Sequence, residues 1–490
     1  MSTFDPGRLV MVDIPGQSLD AETAAFLREQ KIRSVCLFRK NIGSESEVRA
    51  LMRDLIDVLG SEALIGIDQE GGAVVRVTFL PQPPSAMALG ASGDADRAEA
   101  VGAAVARGLK SLGINWNFAP VLDVNNNPSN PVIGERSFSN DPVEVSRLAA
   151  AWMRGSLKEG VACCVKHFPG HGDTHVDSHH ALPTVDKSRV ELNALELAPF
   201  KALASQAPAM MTAHIVYPQI DPDRPATLSP QLLKGILRDD WGYDGVVITD
   251  ALMMKAVAER FGYAKSAVMA IAAGADMVLA QGSLEEQLVA INALRDAFAN
   301  GHLTPAQGET ANRRLDTLAA AYPARAVDDS AARAADHALM AEAWAAGLTT
   351  LRGAKPPALN APIRVIVQGD VPTDMVSEAG PTGRQAVALF DAFTDAQVQM
   401  VDDIAQLDWT RVPKDGRVNI LVSTRRARYG LAASEWRPDL HLSLWNPYQA
   451  LDVAGPTVLT WGFSAGALAG LKSWLEGKTQ ATGRAPQGLQ

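Results

Sequence analysis

The sequence predicts a (β/α)8 barrel of the TIM type followed by a smaller α/β domain, and three observations predict it. Short apolar runs alternate with helical stretches from residue 9 to about residue 320. About eight strand–helix units fit in that length, the number that closes a barrel. Asp68, Lys166, His167, His214 and Asp250 each fall at or just past the C-terminal end of a run, the rim where such barrels collect reactive groups.

The strand candidates are Leu9–Asp13, Ser34–Phe38, Ala63–Asp68, Asn115–Val121, Ala162–Lys166, Ala209–Thr212, Gly245–Thr249 and Asp276–Leu279. Each is short, apolar and bounded by polar or glycine residues, as strands buried on both faces are. Helical patterns lie between them, among them Ala21–Gln30, Glu45–Leu59, Asp94–Leu112, Pro142–Glu159, Glu191–Ser205, Pro230–Arg238 and Ala264–Ala273. Strand followed by helix, repeated, is the pattern of a parallel sheet. Around Tyr322–Asp336 the texture changes: Pro323, Arg325 and Asp328-Asp329 mark a connector, and an Ala-rich helix runs on to about Ala346. A second alternation follows at Ile363–Gln368, Val418–Ser423, Leu440–Leu444 and Thr457–Trp461, with a last helix over Ala465–Glu476. The expected division is a barrel over residues 1–325, a connector helix over 326–350 and a C-terminal α/β domain over 351–490. Residues after Gly477 are expected to form a loose tail.

Composition narrows the class. The chain has 490 residues, 47% hydrophobic and 20% charged, enough to bury a core without disulfides or a structural metal. A net charge of −10 with no basic stripe argues against a nucleic-acid partner. Of the three cysteines, Cys163 and Cys164 are adjacent in an apolar run and read as packing residues; with Cys36 they suggest no disulfide framework, which fits a reducing compartment. The N-terminus shows neither a basic nor an apolar leader region, and no apolar run is long enough to span a bilayer. A cytoplasmic protein without a membrane partner is expected.

The chemistry concentrates in Lys166–Pro183, where five of the nine histidines fall between His167 and His180. His167, His171, His175 and His179 are spaced by four, which on a helix makes a metal-binding face. Pro169, Gly170 and Gly172 oppose a helix there, so a long βα loop folded over the rim is the better reading, with no metal. Within it, Asp177-Ser178-His179 places a carboxylate two residues from an imidazole. In extended backbone the two side chains point the same way, and the pair suits a general acid/base; the alternative is a solvated Asp and His.

Asp250 closes the run Val246–Thr249. It suits a nucleophile attacking an anomeric carbon, or a helix N-cap for the segment beginning at Ala251. Asp68 opens Asp-Gln-Glu-Gly-Gly, whose glycines allow close ligand approach. Asp68, Lys166, His167 and Arg136 are candidate partners for sugar hydroxyls, while Glu70 reads as structural. Asp276 precedes its strand and reads as structural, on the opposite face.

Taken together these segments resemble glycoside hydrolase family 3, and most closely the two-domain form of its NagZ-like β-N-acetylglucosaminidase branch. The family pattern Lys-His-Phe-Pro-Gly-His-Gly-Asp-Thr-x-x-Asp-Ser-His stands intact at Lys166–His179. Supporting segments are Ile67–Gly72, Ile133–Phe138, Met211–His214, Pro225–Ser229 and Gly245–Asp250. The resemblance is strong over residues 8–320 and weaker beyond. It implies Asp250 as nucleophile, His179 as general acid/base with Asp177 as its partner, and Asp68, Arg136, Lys166 and His167 as ligands of the N-acetylglucosamine ring. It further implies a retaining hydrolase that needs no cofactor and acts on muropeptide or chitin fragments. Ala251 departs from the pattern, since many members carry a second Asp after the nucleophile.

Other readings make different predictions. A phosphorylase of the same family releases a sugar 1-phosphate. A β-glucosidase takes its acid from the second domain, here Glu435. A sugar-binding protein on a retired barrel binds without turnover.

Overall fold

The computed structural model describes residues 4–178, 181–370 and 383–489. Eight parallel strands close into a barrel in sequence order: Val10–Asp13, Ser34–Leu37, Leu64–Ile67, Trp116–Asn117, Ala162–Phe168, Ala209–Thr212, Val246–Ala251 and Met277–Ala280. All are buried over nearly their whole length, as the apolar runs require. Every expected strand is present, and the barrel with a smaller sheet behind it is the architecture the sequence predicts. The register shifts between Val165 and Phe168 on the fifth strand, and between Ile248 and Ala251 on the seventh. Such irregularities re-aim side chains, and here both fall where candidate site residues stand.

The outer helices are amphipathic. Glu45–Leu59 starts in a capping box between Ser44 and Glu47 and buries Val48, Leu51, Met52, Leu55 and Leu59, the spacing of one helix face. Ala95–Leu112 packs closely on Pro142–Lys158 because Gly102 has no side chain: a Cβ there would lie 2.1 Å from the Trp152 carbonyl oxygen. At the bottom of the barrel Asp276 accepts from the Val247 amide (2.8 Å), Arg238 (2.6 Å) and Arg314 (2.9 Å), the structural place its sequence position predicts. Cys36, Cys163 and Cys164 are buried thiols inside the barrel layers.

Helix Ser330–Gly347 leads to a six-stranded sheet in the order Thr349–Leu351, Thr457–Leu459, Leu440–Ser443, Val418–Ser423, Ile363–Gln368, Ala396–Val401. Only the first pair is antiparallel. Thr349–Leu351 and Ala396–Val401 are absent from the sequence expectation. The first is three residues long, and the second is an edge strand whose side chains, Val398 and Met400 among them, are mostly exposed and interrupted by Gln397 and Gln399, so that no continuous apolar run marks it.

The loose tail is a correction. Gly483 donates to the Leu348 carbonyl, Arg484 to the Ala91 carbonyl, and Leu489 is 1% exposed in a cluster with Met87, Trp344 and Trp461. Leu489 and these backbone hydrogen bonds dock a segment that carries no apolar run.

The second sheet is fastened to the barrel loops that follow the third and fourth strands. Trp445 Nε1 donates to Glu135 (2.8 Å), Asn125 donates to the Tyr448 hydroxyl (2.7 Å), and Ser85 donates to the Trp461 carbonyl (2.6 Å). Among the described residues no helix is long and apolar enough to cross a membrane.

Candidate active site

A cavity of about 560 Å³ opens at the C-terminal rim of the barrel. Asp68, Arg136, Lys166, His167 and Asp250, five candidates spread over 183 residues of sequence, all line it. Asp68 follows the third strand, Lys166 and His167 sit in the fifth, and Asp250 is next to last in the seventh. Asp177 is half-buried on the loop beside it, and its neighbour Ser178 lines the cavity. His179 and His180 lie outside the described residues.

Alternating charge holds the wall in place. Arg136 grips Glu70 with two bonds, Nε at 2.9 Å and Nη2 at 2.8 Å. Lys166 Nζ stands 2.6 Å from both Asp68 and Glu70, and Arg76 lies 3.6 Å from Asp68. Burial alone would raise the Glu70 carboxyl, but the Arg136 and Lys166 charges outweigh it and hold that group well below the usual carboxylate range. Burial would likewise lower the Lys166 ammonium, and Asp68 with Glu70 raises it instead. Glu70 is thus structural, as its sequence position suggests, and is the central anion of the wall.

Asp123, which sequence reasoning passed over, is the second organising carboxylate. It is wholly buried and accepts from the His167 amide (3.1 Å), the His171 amide (2.7 Å) and His167 Nδ1 (2.7 Å). Burial works to raise it; the His167 and His171 imidazoles with their bonds bring it below its ordinary value. Arg136 Nη2 faces His167 Nε2 at 3.4 Å. A guanidinium can only donate, so Nε2 is the acceptor and Nδ1 carries the proton given to Asp123.

His171 also lines the cavity, between Thr174 Oγ1 (2.8 Å at Nδ1) and Ser178 Oγ (3.0 Å at Nε2). Burial lowers its pKa to about 4, so it is a neutral strut at the base of the loop that ends in Ser178. The loop is sewn to its neighbour: Asn130 donates to the His171 and Gly172 carbonyls, and Tyr217 donates to the Gly170 carbonyl at 2.5 Å. Gly172 is required because a Cβ would meet the Val124 carbonyl oxygen at 1.7 Å. Lys187 ties Asp173 (2.7 Å) and Glu196 together beneath it. Among the described residues of this loop no helix forms, and among the described residues of the chain no group of three His, Cys, Asp or Glu is placed to hold a metal ion.

Asp250 is half-buried, and its Oδ1 accepts from the Ala251 amide at 2.8 Å. Residues 251–254 form a turn before the next helix begins at Lys255, and Met254 is the residue in the cap position, so Asp250 does not serve as its N-cap. The Ala251 carbonyl accepts from His214 Nε2 (2.9 Å), whose Nδ1 bonds Thr227 (2.8 Å). His214 therefore braces the strand end that presents Asp250. Met211, Met253, Met254 and Phe38 are among the apolar side chains of the lining.

A model of the glycosyl hydrolase family 3 N-terminal domain matches residues 5–318. A β-hexosaminidase of Chromobacterium violaceum is 40% identical over 286 residues, covering 56% of this chain and 79% of the relative. β-Hexosaminidase A of Pseudoalteromonas piscicida is 38% identical over 286 residues; the match takes in 54% of this chain and 48% of that protein, about half its length. Among solved structures, a glycoside hydrolase family 3 β-N-acetylglucosaminidase from Paenibacillus sp. str. FPU-7 aligns at a TM-score of 0.87 and 32% identity, covering 98% of this chain and 97% of that one.

Proposed function

The chain belongs to glycoside hydrolase family 3, and from that premise we propose that it is a retaining exo-β-N-acetylglucosaminidase. One observation carries the reading: Asp250 faces the same cavity as the Asp68–Lys166–Glu70–Arg136 wall and His167. The β-hexosaminidase relatives and the matching β-N-acetylglucosaminidase structure support the choice of sugar.

In the proposed mechanism an Asp250 carboxylate oxygen attacks the anomeric carbon. The glycosidic C–O bond breaks as His179, oriented by Asp177, gives its proton to the leaving oxygen. His179 then takes a proton from water, the water oxygen attacks the same carbon, and Asp250 is released. Asp68 and Lys166 hold ring hydroxyls, and Arg136 and His167 complete the ring site. The substrates are muropeptide or chitin fragments carrying a non-reducing N-acetylglucosamine, met in the cytoplasm, where buried free thiols such as Cys163 and Cys164 persist.

Treatment with a mechanism-based fluoro-sugar, followed by peptide mass spectrometry, tests the assignment: Asp250 should carry the label, and a label elsewhere removes it from the role. Added phosphate should neither accelerate turnover nor yield a sugar 1-phosphate. The p-nitrophenyl N-acetylglucosaminide should be preferred over the glucoside.

A further inference from the structure

The second sheet ends on strand Ala396–Val401, which pairs on one side only, with Ile363–Gln368. That pairing runs the length of the strand without a register shift, so the outer edge is unbroken. The Ile363 amide donates to the Asp395 carbonyl and the Gly369 amide to the Val401 carbonyl, which fixes the phase of the ladder. Residues 395, 397, 399 and 401 turn their amides and carbonyls inward, and Ala396, Val398 and Met400 turn theirs outward. Among the described residues nothing pairs with these outward groups. Sheet edges are normally guarded by Lys, Pro, a bulge or a covering element, and Ala-Gln-Val-Gln-Met-Val has neither charge nor proline. We propose that this edge is the contact surface for a second copy of the chain, the two strands pairing antiparallel across a two-fold axis at Val398.

The strand is complementary to itself in one register. An axis at Val398 sets that residue opposite the partner's Val398, and Ala396 opposite the partner's Met400. All of these turn their backbone outward, so each pair exchanges both amide–carbonyl bonds. On one face Val398 and Met400 stand beside Val365 and Val367, buried members of the domain's core, and each is 43% exposed. Pairing continues that apolar layer across the axis. On the other face Gln397 meets the partner's Gln399, amide against amide. At the two ends Asp395 is held by Arg417 and Asp403 by Arg425, both at 2.8 Å. In this register Asp395 lies opposite the partner's Val401, so no two carboxylates face one another. Moving the axis to Gln399 would set Asp395 against the partner's Asp403, which like charge disfavours. The contact is isologous: it closes as a dimer and joins two six-stranded sheets into one.

Sedimentation velocity over a range of concentrations reads the association. One strand edge covers less than the roughly 1,600 Å² of a standard interface, so the dimer should dissociate in the micromolar range. Val398→Lys sets two ammonium groups against each other at the axis and should weaken the dimer at least about tenfold, with the far-ultraviolet circular dichroism unchanged. Val398→Asp should do the same. Mixing the two variants should restore a dimer, which a misfolded chain would not do. Val398→Cys tests the register: across a hydrogen-bonded antiparallel pair the Cα atoms stand about 5.5 Å apart, within disulfide reach, and mild oxidation should cross-link two chains. Cys36, Cys163 and Cys164 are buried and do not compete. A parent protein that stays monomeric up to about 200 µM overturns the proposal. So does a dimer that neither charged variant weakens, or a mixture of the two variants that stays monomeric. Failure of Val398→Cys to cross-link overturns the axis at Val398.

Discussion

Replacing Glu70 by Gln keeps the shape of the wall and removes its central charge. Glu70 Oε1 accepts from Arg136 Nη2 and stands 2.6 Å from Lys166 Nζ, while Oε2 accepts from Arg136 Nε. The side chains of Arg136, Lys166 and Glu70 are 6%, 3% and 7% exposed, so water cannot take over these bonds. A glutamine can keep its oxygen toward Arg136 Nη2 and Lys166, but its amide nitrogen then faces Arg136 Nε, donor against donor. Removing one partner of a buried ion pair costs about 3–5 kcal/mol, and Asp68, still beside Lys166, should keep the loss near the lower end. Urea unfolding at pH 7 measures it. The sign with pH follows from the depressed carboxyl: the charge of Glu70 stabilises the fold above the unfolded value of 4.5 and loses its effect as pH falls through the lower folded value. The gap between the parent protein and Glu70→Gln should therefore be full at pH 7 and shrink below about pH 4. Asp68→Asn is the internal control, because Asp68 is more exposed, at 16%, and should cost less. A Glu70→Gln loss below about 1 kcal/mol, or one smaller than that of Asp68→Asn, would refute the placing of Glu70 at the centre of the wall.

Four further outcomes are expected. Asp250→Asn should lower kcat by about three orders of magnitude or more while the thermal midpoint stays within a few degrees; near-normal turnover would remove it from the nucleophile's role. Burial brings His441 to about 3 and His171 to about 4, so the unfolded chain takes up these protons first and stability falls as pH drops from about 6.5, by roughly 1.4 kcal/mol per pH unit and group. His441→Phe should flatten that slope between pH 6 and 5 in urea titrations, and an identical slope would contradict it. Trp445→Phe removes the donor to Glu135 and should cost about 1–2 kcal/mol, read from unfolding midpoints, with no loss meaning that the bond does not fasten the domains. Gly102→Ala forces a methyl group against the Trp152 carbonyl and should cost about 1–3 kcal/mol by the same measurement; a neutral result would mean the two helices part freely.

The residues the sequence places on the rim are those that end an apolar run, because a buried strand has a visible end and the polar residue there has one place to go. Asp68, Lys166, His167 and Asp250 are of that kind, and they meet in one cavity. Glu70 and Asp123 were harder to see for two different reasons. Glu70 lies on the Gln69–Gly71 strand of a small hairpin, and its role depends on Arg136, brought in from 66 residues away. Asp123 follows the run Phe118–Leu122 and resembles any loop carboxylate until the His167 and His171 amides turn toward it. The fourfold histidine spacing was misleading in sequence, because it describes a helix that the proline and glycines forbid. Its physical content emerged only once the loop was closed: His167 and His171 converge on Asp123, while His175 leaves for Asn127.

The second domain was legible as alternating strands, but its use was not. That use depends on two short contacts, Trp445 on Glu135 and Arg426 on Val132, made between loops nearly 300 residues or more apart. Both land on the loop that carries Arg136, and Arg136 shares the Val132 carbonyl with Arg426. A shift of the second domain therefore has to pass through the backbone that holds the charged wall of the cavity. On this geometry the domain is part of the construction of the site, and truncating it should disturb ring binding as well as stability.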